Sequence, residues 1–180
     1  MPGLLLIDGN SLIYRAFFAL PTDMTTASGQ VTNAVFGFTS MLTTLVREHK
    51  PDRVAVAFAR PGPTFRHERR REYKANRERQ PEILYEQLAL SRELVDALGF
   101  FVGEAEGFEA DDVIGTLTNE TSIRGIRSLV YTCDLDLLQV EDENTQVKVF
   151  SQYSPTRVFD RAAAMKRFGG LEPGNIPDLK

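Results

Sequence analysis

The stretch Gly3-Leu4-Leu5-Leu6-Ile7-Asp8-Gly9-Asn10-Ser11 decides the fold class. Its unbroken apolar run, Leu4 to Ile7, fits a strand buried on both faces, since a half-exposed strand would alternate apolar with polar residues. Asp8-Gly9-Asn10 follows as a tight turn, with Asn10 placed to cap a helix from about Ser11 to Leu20 that stops at Pro21. A buried strand feeding directly into a helix is the first half of a parallel α/β unit.

Working outward, the pattern repeats. Thr22 to Gln30 is polar and loop-like, and Val35, Phe38, Leu42, Leu45 and Val46 are spaced as one face of a helix over 32–49, closed by Pro51. Arg53–Phe58 reads as a second buried strand, ended by Pro61-Gly62-Pro63. Pro81 opens a helix over Glu82–Leu98, with Leu84, Leu88, Leu94 and Leu98 towards the core and Gly99 as its stop. Phe100–Val102 is a third strand and Glu109 to about Thr121 a helix with Val113, Ile114 and Leu117 on one face. Leu129–Thr132 and Val147–Phe150 are further strands, and a last helix is expected near Arg161–Phe168. The alternation predicts an α/β domain, a mostly parallel central sheet with helices on both faces.

The 180 residues are 42% hydrophobic and 26% charged, a balance that excludes a disordered or fibrous chain. No apolar run is long enough to span a membrane, and the N-terminal one has no basic residue before it, unlike a secretory signal. A single cysteine, Cys133, leaves a reducing compartment as the expectation, and two histidines, His49 and His67, are too few for a zinc cluster. The net charge of −4 hides a segment, residues 60–79, that carries +5, so the other 160 residues carry −9. A basic segment on an acidic body suits a polyanion held at one edge and a cation held elsewhere; an exposed helix with Arg–Glu pairs is the plainer alternative.

Acids fall where ligands of parallel sheets bind, beyond the carboxyl ends of strands. Asp8 follows the first strand, Glu109, Asp111 and Asp112 open the helix after the third, and Asp134 and Asp136 follow the fourth. Taken singly, Asp8 could be a turn residue or cap, the Glu109 group could answer a helix macrodipole, and Asp134 could cap a short helix. Taken together, they would repel one another unless a cation neutralised them. Oxygen ligands without imidazole or thiolate suit Mg²⁺ or Mn²⁺. In the basic segment Arg66, Arg69, Arg70, Lys74 and Arg77 can meet phosphates, and Tyr73 offers a ring to a base. An acidic cation site beside a basic arm is what phosphodiester hydrolysis requires. A phosphatase or nucleotide-binding domain is the alternative from another class, but no Gly-rich phosphate loop is present.

Six segments occur in one order: Leu6-Ile7-Asp8-Gly9-Asn10-Ser11, Thr32-Asn33-Ala34-Val35-Phe36-Gly37-Phe38, Thr64-Phe65-Arg66-His67-Glu68, Tyr73-Lys74-Ala75-Asn76-Arg77, Gly107 to Gly115 (Gly-Phe-Glu-Ala-Asp-Asp-Val-Ile-Gly) and Asp134-Leu135-Asp136-Leu137-Leu138-Gln139. Together they resemble the N-terminal 5′–3′ exonuclease, or flap endonuclease-like, domain of bacterial DNA polymerase I. The resemblance implies a PIN-like core over 1–170 with a basic helical arch at about 60–81. It also implies a structure-specific nuclease that uses two divalent ions on DNA with 5′ flaps, nicks or RNA primers, in replication and repair. By position, Asp8, Glu109 and Asp111 would ligate the first metal with Asp112 adjacent, and Asp134 and Asp136 would serve the second. Tyr73, Lys74 and Arg77 would lie in the arch against the scissile phosphate or threaded strand, with Arg66 at its base and Arg69 and Arg70 on DNA. A monomer in the bacterial cytoplasm, with a polymerase domain following in the parent protein, completes the expectation.

Two departures matter. After Val54-Ala55-Val56-Ala57-Phe58 the family pattern has an aspartate ligand, whereas position 59 here is Ala59, with Arg60 beside it. This favours a second expectation, a fragment that binds flaps or 5′ ends with impaired cleavage. Residues 171–180 read as a lead-in to the helix–three-turn–helix segment and two further aspartates of the family, a region absent from this chain. Cys133 stands where a small residue is usual and is read as packing.

Overall fold

A computed structural model describes residues 2–70, 72–75, 79–151 and 154–159, together with positions 162, 165, 166, 169 and 170. The element order is β1 (Leu4–Asp8), α1 (Gly9–Ala19), α2 (Asn33–His49), β2 (Arg53–Ala57), α3 (Phe65–Arg69), α4 (Glu82–Ala97), β3 (Phe101–Gly103), α5 (Ala110–Ile123), β4 (Ser128–Thr132), a 3₁₀ helix (Leu135–Val140), β5 (Thr145–Ser151) and β6 (Ser154–Phe159). They form one six-stranded sheet in the order β3-β2-β1-β4-β5-β6. All neighbours run parallel except β5 and β6.

The buried strands behave as their apolar runs require, with alternate residues serving opposite faces. Leu5 and Ile7 of β1, Val54 and Val56 of β2, and Leu129 and Tyr131 of β4 pack beneath α1, α2 and α4. Leu6, Ala55, Ala57 and Val130 point the other way, beneath Ile114 of α5 and Leu137 and Leu138 of the 3₁₀ helix. On the first face a buried amide pair locks three helices together. Asn33 donates to the carbonyls of Phe17 and Leu20 at 3.0 and 2.9 Å. Gln87 donates to Asn33 Oδ1 at 2.9 Å and accepts the Ala34 N–H at 2.8 Å.

Strand order reverses between β1 and β4, because successive crossovers from β1 lead outward to β2 and β3 and the chain then returns to the far side of β1. That reversal opens a crevice at the carboxyl ends of these two strands. Gly9 keeps the crevice floor tight. A Cβ there would lie 2.7 Å from Phe58 Cε1 and 2.9 Å from Val56 Cγ1, too close for any side chain.

Several sequence expectations need correction. Helix α1 starts at Gly9, two residues early, because Asp8 and not Asn10 is its cap: Asp8 Oδ1 accepts the Ser11 N–H at 3.1 Å. Leu98 lies beyond the last turn of α4 and is 47% exposed, its inward place on the helix being taken by Val95. The antiparallel β6 was not anticipated. Within the segment expected to form the arch, the described residues hold the five-residue α3 and a turn over 72–75. Arg77, most of the helix expected near Arg161–Phe168, and residues 171–180 lie outside the described residues.

Candidate active site

A cleft of about 1230 Å³ sits over the strand-order reversal. Asp8, Glu109, Asp111 and Asp134 line it, with Ala59, Arg60, His67 and Lys74. Each acid arrives from its own element: Asp8 from the end of β1, Asp134 from the residue after Cys133 beyond β4, and Glu109 and Asp111 from the cap and first turn of α5.

Asp8 is 2% exposed and both its oxygens are occupied. Oδ1 takes the Ser11 amide, and Oδ2 accepts the Thr132 hydroxyl at 2.7 Å. Burial pushes its carboxyl above the ordinary range, opposed by those hydrogen bonds. Asp111 is pushed up to about 7, first by desolvation and then by the charges of Asp8, Asp134 and Glu109. Asp134 accepts the Asp136 amide at 3.0 Å, the turn that starts the 3₁₀ helix. Asp136 itself lies outside the cleft lining.

Glu109 faces the basic segment. Lys74 Nζ stands 2.9 Å from both its oxygens, and the Tyr73 hydroxyl donates to Oε2 at 3.1 Å. Lys74 holds a left-handed backbone conformation, φ 55°, to make this reach. The structure thus puts Tyr73 and Lys74 on the Glu109 carboxylate.

Asp112 has a different partner from the one its place in the motif suggests. It clamps Arg66 through two bonds of 2.6 and 2.8 Å, and its Oδ2 also accepts the Glu109 amide at 2.9 Å. Arg66 holds the Asp112 carboxyl below its usual range. Phe65 and Phe108 add a ring contact at 5.5 Å, and the Phe65 amide donates to the Gly107 carbonyl. The start of the basic segment is therefore docked on the start of α5. Arg69 is exposed, its guanidinium 5.6 Å from the Phe65 ring centre, and Arg70 is exposed at the end of α3.

Ala59 lines the cleft at the end of β2. Its N–H donates to Asn10 Oδ1 at 2.8 Å, which is the task Asn10 performs in place of capping. Arg60 lies 3.8 Å from Glu104, while Arg92 sits 3.0 Å from Glu104 and stacks over Phe58. Thr132, Arg15 and Arg92 were not singled out by sequence; Thr132 carried a usable signal, a hydroxyl two residues before an aspartate at a strand end.

In this arrangement no three His, Cys, Asp or Glu side chains among the described residues stand ready around one point to hold a metal ion. Lys74 draws Glu109 aside, and Asp8 turns to Ser11 and Thr132. The donor chemistry nonetheless fits a hard divalent cation: burial and the charges of three neighbouring acids push the Asp111 carboxyl up to about 7, His67 Nδ1 is engaged by Thr64, and burial pushes the Cys133 thiol up to about 11.

The family profile described as "5′–3′ exonuclease, N-terminal resolvase-like domain" matches residues 3–169. DNA polymerase I of Chloroflexus aurantiacus is 42% identical over 183 residues, covering 99% of this chain and 19% of that protein. The 5′–3′ exonuclease of Aquifex aeolicus is 38% identical over 178 residues, 99% of this chain and 60% of that one. The chain thus spans about a fifth of the length of the polymerase relatives it matches. Among solved structures, a phage T5 protein co-crystallised with metal ions superposes with a TM-score of 0.77 at 19% identity, covering 98% of this chain and 65% of that one. The phage T5 flap endonuclease in complex with DNA and metal ions gives 0.70 at 18%, covering 92% and 60%. These likenesses show the same mostly parallel fold, and no described helix is long and apolar enough to cross a membrane. With matched residues running almost end to end, the chain belongs to the 5′–3′ exonuclease family, as an N-terminal resolvase-like domain.

Proposed function

We propose that this chain carries the active site of a divalent-metal-dependent 5′–3′ exonuclease and 5′-flap endonuclease that acts on DNA in replication and repair. The observation that carries this is Asp111: three further acids, Asp8, Asp134 and Glu109, bear on one half-buried carboxylate at the strand-order reversal. Such a cluster is costly in a folded protein unless a cation is meant to sit in it. Asp8, Glu109, Asp111 and Asp134 would hold Mg²⁺ or Mn²⁺, two ions in all, with Asp136 nearest the second. Bound there, the ions would activate water and offset charge on the leaving oxygen.

The chain's own groups supply the rest. Lys74 and Tyr73, once off Glu109, present an ammonium and a phenol to the phosphate beside the acids. Arg66 fixes the base of the segment, and Arg69, Arg70 and Arg77 extend positive charge along the strand. Asp112 positions Arg66 and the Glu109 backbone. The substrates are DNA ends with 5′ flaps, nicks or RNA primers. In this reading the chain acts as a monomer in the bacterial cytoplasm, and its parent protein continues into a polymerase.

Ala59 favours a second reading. A methyl group lines the cleft where the resembling family carries a ligand, and Arg60 and Arg92 stand close by. On that reading the chain binds flaps and cleaves them poorly. Single-turnover cleavage of a labelled 5′-flap duplex in Mg²⁺, Mn²⁺ or EDTA, with anisotropy on the same duplex, separates the two. Metal-dependent cleavage supports the nuclease, binding without cleavage supports the second reading, and neither would sink both.

A further inference from the structure

Thr132 is fully buried and belongs to neither ligand set, yet it touches both. Its hydroxyl donates to Asp8 Oδ2 at 2.7 Å and accepts the Asp134 N–H at 3.0 Å. The two roles fix the proton. With its oxygen receiving an amide hydrogen, the hydroxyl hydrogen is left to point at Asp8. The β1–β4 pairing, Ile7 opposite Tyr131, brings the two next residues, Asp8 and Thr132, side by side. A continuous chain results: the Ser11 amide to Asp8, Asp8 to Thr132, Thr132 to the Asp134 backbone, and the Asp136 amide to the Asp134 side chain.

We infer that Thr132 is a positioning residue for the metal site, a hydroxyl bridge that sets how far apart and at what angle Asp8 and Asp134 are presented to bound cations. The inference rests on the proposed metal-dependent function. Two like charges on adjacent strands repel, and nothing in a bare strand end would hold them at one separation. A hydroxyl hydrogen-bonded to one carboxylate and to the backbone of the other does so without neutralising either. Hydrogen-bonding partners of ligating carboxylates typically matter by about 10–100-fold in metal affinity.

The test is Mn²⁺ binding to the intact chain, titrated by calorimetry or by the spin resonance of free Mn²⁺. Thr132→Val, of the same shape without the hydroxyl, should weaken binding about 10–100-fold. Thr132→Ser, which keeps the bridge, should restore binding close to the parent. Amide exchange reports the same bond without metal: Asp134 should lose protection in T132V and keep it in T132S. Thr118→Val is the control for a merely structural loss, because Thr118 is also buried but its hydroxyl bonds to carbonyls of its own helix, Ile114 and Gly115. If T132V does not fold, Thr132→Cys, close to serine in size with a weaker donor, takes its place. T132V binding Mn²⁺ as the parent does, or T118V losing as much, overturns the inference while leaving the metal site standing. A parent chain that takes up no Mn²⁺ overturns both.

Discussion

Lys74 and Glu109 are joined by an ion pair in which one ammonium meets both carboxylate oxygens at 2.9 Å. A side chain suited to DNA phosphate is thus seated on an acid suited to a metal ion. Under the proposed function, a divalent ion arriving at Glu109 would compete with Lys74 and release it for the strand.

Lys74→Ala should therefore act in opposite directions on two ligands. Without DNA, Mn²⁺ affinity should rise several-fold, because a competing positive charge is gone. Affinity for a 5′-flap duplex should fall, and the salt dependence of binding should flatten by about one unit of slope. Calorimetry and anisotropy on the same preparation measure both. A loss of Mn²⁺ affinity would show that Lys74 supports the site.

The pH dependence of the metal-free chain follows from Asp111, whose carboxyl rises from 3.8 to about 7 on folding. Between those values the folded chain retains a proton that the unfolded chain has released, so stability declines as pH rises and levels off above about 7. The melting temperature of Asp111→Asn relative to the parent, in EDTA across pH 4 to 8, isolates that slope from the opposite one of His49, whose pKa burial lowers. Asp111→Asn should flatten it and raise the melting temperature at the alkaline end, with divalent-ion affinity lost in exchange. A difference between Asp111→Asn and the parent that stayed flat over the same window would contradict the raised Asp111 carboxyl.

Asp112 and Asp111, adjacent in sequence, should separate cleanly in experiment. Asp112→Asn breaks the bidentate pair with Arg66 but leaves the cleft lining alone. It should cost about 1 kcal/mol, since both side chains are partly solvent-screened. Mn²⁺ affinity should stay within a few-fold of the parent, against a loss of at least about tenfold in D111N. Proteolysis within residues 60–79 should quicken in D112N, as the segment loses its anchor.

Gln87 is the structural counterpart. Replacing it with Leu strands the Ala34 N–H and the Asn33 Oδ1 inside the core. A loss of about 1–3 kcal/mol is expected in urea unfolding, with metal binding unchanged in the folded fraction.

Much of this was legible from residue order. Leu4–Ile7 and Arg53–Phe58 announced buried strands because parallel strands covered on both faces need no alternation, and Asp8, directly after the first, fell at the crevice. Less legible was anything that depends on a partner distant in sequence. Asp112 shares a motif with two ligand candidates, and only the approach of α3 shows that Arg66 claims it. Asp8 read on its own as a turn residue or cap and in company as a ligand, and in the fold it caps α1 while lining the cleft. Thr132 was one hydroxyl among many until β1 and β4 were set side by side. Nor could residue order show that the described contacts of the basic segment go outward to α5.

The Asn10–Ala59 hydrogen bond has a bearing on how such a site can change over generations. It holds the end of β2 through a backbone N–H, which every residue but proline possesses. The side chain at position 59 can then be exchanged without loosening the strand that carries it. For Ala59→Asp the prediction is a large gain in Mg²⁺-dependent flap cleavage at little change in fold. A scaffold anchored in this way can lose catalysis and regain it while its recognition surface persists, which makes binding-only descendants of a nuclease easy to reach and easy to reverse.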